Sequence, residues 1–122
     1  MMKYLLCVLC ATISSIQCHT HSRHHVIDNI LFDYAGIDEF GLRHGESAVD
    51  YEFCIPANPD ALAEVSRIEP DVRVMKNSKG RVGCTDEQWL CIANTHDPAW
   101  KKKLFAIAAL PYVERILETF YE

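Results

Sequence analysis

Cys54, Cys84, Cys91 and the histidines are the residues of this chain best suited to chemistry. A thiol attacks as a nucleophile when a base lies beside it, and Cys54 or Cys91 with His96 is the candidate pair. Nothing in the spacing supplies a third group to orient them. Cys84 and Cys91 are separated by six residues, not by the two of a redox Cys-x-x-Cys motif. Structural use is therefore expected, with Cys54, Cys84 and Cys91 as the disulfide candidates. His19, His21, His24 and His25 form a tract whose neutral imidazoles can ligate Zn²⁺ or Cu²⁺. If the mature chain starts at His19, its free amine and His21 can wrap Cu²⁺ in a square-planar set. Without such a start the tract reads as a polar tail.

A second pattern is Leu42-Arg43-His44-Gly45-Glu46-Ser47. It resembles the Arg-His-Gly-Glu signature of the histidine phosphatases and phosphoglycerate mutases. The resemblance implies phosphoryl transfer to His44, with Arg43 holding phosphate. It covers these six residues. That family sets its motif after a buried parallel strand of a large α/β domain and draws another histidine and more arginines from far downstream. Here Gly36 to Gly41 precede the motif without a continuous apolar strand, and the chain that follows is too short for that fold. The expected role is a glycine-rich connection into the first core strand. Asp50 and Glu52 alternate with core residues and read as solvent-side positions, not as an acid/base pair.

The elements that must position these residues follow from composition and punctuation. The chain has 122 residues, is 49% hydrophobic and 24% charged, and carries a formal charge of −5. That is enough for one domain with a core of its own. The acidic balance disfavours nucleic acid as a partner. Lys101-Lys102-Lys103, and Lys76 with Lys79 and Arg81, read as solvated faces.

Residues 1–18 read as a signal peptide. Lys3 precedes an apolar run from Tyr4 to Ile13, and Ser14 and Ser15 follow. The run is short of the roughly twenty residues needed to span a bilayer, so no stable membrane insertion is expected. The expected location is secreted or periplasmic. A lipid anchor on Cys18 needs a small residue before it, and Gln17 is not small. Cys7 and Cys10 leave with the signal, and an oxidising compartment then favours at least one disulfide.

Residues 19–47 divide into the His-rich tail and an apolar segment expected to cover the domain. From Ala48 the pattern sharpens. Val49, Tyr51, Phe53 and Ile55 alternate with Asp50, Glu52 and Cys54, as in a half-buried strand. Asn58-Pro59-Asp60 is a helix start, Leu62, Val65 and Ile68 follow at helical spacing, and Pro70 stops it. Val72 to Met75 and Trp89 to Ala93 are strands. Asp97-Pro98 opens a second helix, with Trp100, Leu104, Ile107 and Ala108 on one face. Val113 to Phe120 is a last strand.

The order over 48–122 is β-α-β-β-α-β. It predicts an α+β, ferredoxin-like fold, a four-stranded antiparallel sheet with two helices on one face. In that arrangement Glu52, Cys54, Trp89 and Cys91 share the face away from the helices, with Cys54 and Cys91 close enough to bond. The expected function is a non-catalytic binding module without cofactor, using that face to hold another protein or a second copy of itself. Two further readings stand beside it. One is a metal-binding protein using the His-rich tract. The other is a small extracellular enzyme using a cysteine or the Arg43-His44 pair.

Overall fold

The computed structural model describes residues 28–121. The signal segment, the lipid-anchor position Cys18 and the tract His19, His21, His24 and His25 lie outside the described residues. What is described is α+β, with a four-stranded antiparallel sheet, two helices and a two-stranded ribbon. The elements are β1 (Leu42–Arg43), β2 (Ser47–Ala48), β3 (Asp50–Pro56), α1 (Pro59–Ile68), β4 (Arg73–Met75), β5 (Gln88–Asn94), α2 (Trp100–Ala108) and β6 (Ile116–Glu118). In the large sheet the strands stand in the order β4–β5–β3–β6.

Local chemistry explains most boundaries. Asn58 caps α1 by accepting the Ala61 N–H at 2.8 Å, and Pro59 needs no partner for the N–H it lacks. Before α2, Asp97 takes the Ala99 N–H at 2.7 Å, so it closes a turn and the helix starts only at Trp100. Trp100, Leu104, Ile107 and Ala108 are all buried. They meet Tyr51, Phe53 and Ile55 of β3 and Cys91 and Ala93 of β5 in the main core, which Val65 of α1 completes.

The faces of β5 differ from the sequence expectation. Phe53 stands opposite Cys91, and Cys54 opposite Leu90. Cys91 and Trp89 therefore face the helices, while Cys54 and Glu52 lie on the other side with Leu90 and Ile92. The four expected face residues do not share a face. The cause is a second apolar cluster of Val82, Cys84, Leu90 and Ile92, with Cys54 and Leu117 against it. Because both sides of β5 are covered, alternation alone could not say which side meets the helices.

The cysteines follow from this register. Cys54 bonds Cys84, a residue of the loop between β4 and β5, and Cys91 is a buried free thiol. The apolar segment packs on the helix side of the domain. Ile30 bridges Ile116 on the β6 edge, Phe32 stacks on Tyr51 with centroids 6.0 Å apart, and Tyr34 meets Phe105 edge-on at 5.6 Å. The segment thus seals the helix side. Leu90 and Ile92 on the face away from the helices are covered instead by the β4–β5 loop that Cys84 ties down. No helix among the described residues is long and apolar enough to cross a membrane.

Candidate functional site

Three of the residues suited to chemistry are committed to structure. Arg43 makes a two-pronged pair with Glu118, Nη1 to Oε1 at 2.6 Å and Nη2 to Oε2 at 3.1 Å, and Nη2 also donates to the Asp33 carbonyl. The hydrogen bond to Glu118, more than charge attraction, raises the Arg43 pKa. His44 and Gly45 have φ of 54° and 69° and form the exposed tip of the β1–β2 hairpin. Two left-handed residues in succession suit such a turn, and glycine takes one without strain. The phosphatase-like string is therefore a hairpin tip whose arginine anchors β6.

Cys91 is fully buried between sheet and helices, and burial pushes its thiol up to about 12. A thiolate nucleophile is not populated there near neutral pH. His96 lies exposed beyond the end of the strand. We expect iodoacetamide to leave Cys91 unlabelled in the native protein and to label it after denaturation, as read by peptide mapping. Labelling of Cys91 in the native state would contradict its placement.

The end of the outer sheet face beyond the loop gathers a different set of side chains. Asp50 and Asn94 stand opposite each other at the end of β3 and β5, and the Asn94 amide donates to Asp50 Oδ1 at 2.7 Å. Arg73 of β4 reaches across to Asp50 Oδ2 at 3.1 Å. Tyr121, following β6, donates to the same oxygen at 2.6 Å and accepts from Arg73 at 2.7 Å. The bond to Tyr121 comes first among the causes that raise the Arg73 pKa, ahead of Asp50. Next to this network Arg81 donates to the Glu118 carbonyl at 2.8 Å and lies over the Phe120 ring, 4.7 Å from its centroid. Lys76 lies instead over Trp89, at 4.3 Å, on the side of the sheet that faces the helices.

The exposure of this patch is unusual for its residue types. Phe120 is 59% exposed, Tyr121 66% and Met75 45%. Of the four cations from Arg73 to Arg81, Arg73 and Arg81 stand in the patch, while Lys79 faces Asp86 at 3.8 Å. Aromatic rings stacked with arginine, mounted on a rigid sheet, are the side chains that dominate protein–protein contacts. The sequence reading assigned Lys76, Lys79 and Arg81 to solvent and Phe120 to the last strand. The available signal was the pairing of a basic run with two successive aromatics beyond a strand, but only the sheet order brings them together.

Beneath the adjoining loop lies Glu52, 1% exposed in the middle of β3. Its Oε2 accepts the Arg81 N–H at 3.1 Å, and its Oε1 has no partner. Leaving one buried polar atom unpaired costs about 1–3 kcal/mol. Gly80 passes so close that a Cβ there would lie 2.1 Å from Oε2. Glu52 is thus a buried group under a lid, and not part of an open binding face. No protein-family model, no curated protein and no solved structure matches this chain.

Proposed function

We propose that this protein is an exported, non-catalytic binding module of ferredoxin-like build that holds an acidic segment of another protein on the outer sheet face. The observation that carries the reading is the pair Arg73 and Arg81 beside the exposed Tyr121 and Phe120. Its cations complement a carboxylate-rich partner, and its rings supply apolar area at little entropic cost. Export is supported by the Cys54–Cys84 disulfide, which an oxidising compartment maintains. The ferredoxin-like reading is supported by the strand–helix–strand–strand–helix–strand order from Asp50 and by the antiparallel pairing of β3 with β5.

The test is direct titration with a synthetic peptide of alternating Glu and Tyr. Arg81→Glu is expected to weaken binding at least about tenfold, because a rim cation becomes a like charge facing the peptide. Replacing Lys101 and Lys102, exposed on α2, by glutamate changes the net charge more but should leave affinity within about twofold, since those cations lie off the patch. Equal losses in both variants would reduce the interaction to bulk charge and overturn the assignment.

A further inference from the structure

We infer that the Cys54–Cys84 bond is a latch that assembles the binding face only after oxidation, closing the β4–β5 loop over Glu52. The inference rests on the binding reading above for its consequence, but not for its mechanism. The loop carries Arg81, so its position sets the cation that lies over Phe120 in the patch.

The closed loop is held on the sheet by few forces besides the disulfide. Its backbone bonds are mostly internal, from Gly83 and Cys84 to the Lys79 carbonyl and from Ser78 to Met75. Its apolar grip is Val82 and Cys84 on Leu90 and Ile92. Polar ties run from the Arg81 N–H to Glu52, from the Arg81 side chain to Glu118 and from Arg115 to the Val82 carbonyl. Against these stands one buried oxygen without a partner under the loop, Glu52 Oε1. Opening the loop lets water reach it, and this gain opposes closure. A covalent tie tips the balance.

The chemistry is thiol–disulfide exchange with a disulfide-bearing oxidant. Cys54 is partly exposed and lines a small cleft with Glu114 and Arg115, so an oxidant reaches it first, while Cys84 is buried once closed. Cys54 thiolate attacks one sulfur of the oxidant, forming a mixed disulfide and releasing the other sulfur as thiolate. Cys84 thiolate then attacks Cys54 Sγ, forming the Cys54–Cys84 bond and expelling the second thiolate. The protons of the two cysteines pass through water to the two released thiolates, so the oxidant leaves as a dithiol. Cys91, on the opposite face, takes no part.

The test uses the whole protein with amide hydrogen exchange as the first readout and the Glu-Tyr peptide as the second. Reduction with dithiothreitol is expected to lower protection of residues 79–85 at least tenfold while amides of β3 and β5 keep theirs. Cys54→Ser/Cys84→Ser should behave like the reduced chain. Glu52→Gln, which keeps an acceptor for Arg81 and lightens the desolvation, should restore much of the loop protection in the reduced state. Peptide affinity should fall about tenfold on reduction. A loop that stays protected when reduced, or a sheet that loses protection with it, overturns the latch. A loop that opens in a protein whose oxidised form never binds the peptide supports the latch and sinks the binding reading instead.

Discussion

Gly41→Ala should destabilise the protein by about 3 kcal/mol or more, close to the limit for a single small substitution. Gly41 has φ of +81°, and a Cβ there would lie 1.5 Å from the Thr95 carbonyl oxygen and 2.6 Å from its carbon. Both are backbone atoms, so no rotamer relieves the overlap. The site is also a clamp. Thr95 is fully buried, its hydroxyl donates to the Gly41 carbonyl at 2.7 Å and accepts the Val49 N–H at 2.9 Å. Trp100 donates its indole N–H to the Asp38 carbonyl nearby at 2.8 Å. Pushing Gly41 away therefore frees the 38–43 segment from the end of β5 and from α2 together. Gly45→Ala is the control. Its φ is +69°, but a Cβ meets nothing within 4 Å. It should lose only the left-handed penalty of about 1–2 kcal/mol. Urea titrations of both variants check this, and equal losses would contradict the close approach.

Phe53→Ala should cost about 3–5 kcal/mol. Phe53 has no solvent exposure, sits in the central strand β3, and faces the small Cys91 on one side and Ile116 on the other. Its ring lies 6.3 Å from that of Tyr51. The small partner means that Phe53 fills the space itself, and nothing adjacent can swing in to replace it. A domain of ordinary stability, about 5–15 kcal/mol, would be left marginal. Phe120→Ala removes the same side chain from a 59% exposed position. It should change stability by no more than about 0.5 kcal/mol while weakening the Glu-Tyr peptide. Thermal melts and titrations on the same pair of variants separate the residue that holds the fold from the one that meets the partner.

How much of this was legible in the sequence differs by level. The helix faces were readable because Trp100, Leu104, Ile107 and Ala108 recur at a period that only a helix brings together, and the Asn58-Pro59 start is a local signal. The alternation from Val49 to Ile55 identified β3 for the same reason. The face assignment failed at β5, where Leu90 and Ile92 look better suited to a helical core than Cys91 and Ala93. Tertiary packing decided otherwise, since the β4–β5 loop brings Val82 and Cys84 to cover the larger pair. The same reversal moved Trp89 and Cys91 out of the candidate face and joined Cys54 to Cys84. The last strand was expected from Val113 to Phe120, but only Ile116–Glu118 pairs with β3. Tyr121 crosses to Asp50 and Arg73 instead, a contact of 71 residues' separation from Asp50 that no local pattern announces.

The site was less legible than the fold because its members are scattered. Asp50, Arg73, Arg81, Asn94 and Tyr121 come from four strands' ends and a loop, and each taken alone is an ordinary surface residue. Their meaning lies in the strand order, which puts the end of β5 between the starts of β3 and β4.

Chemical-shift mapping tests the central claim most directly. Unlabelled Glu-Tyr peptide is added to the isotope-labelled, oxidised protein, and backbone amides are followed. The account predicts shifts confined to residues 73–82, 92–94 and 118–121, with Arg81 and Tyr121 among the largest. Shifts centred on α1 and α2, or none at all at saturating peptide, would contradict it.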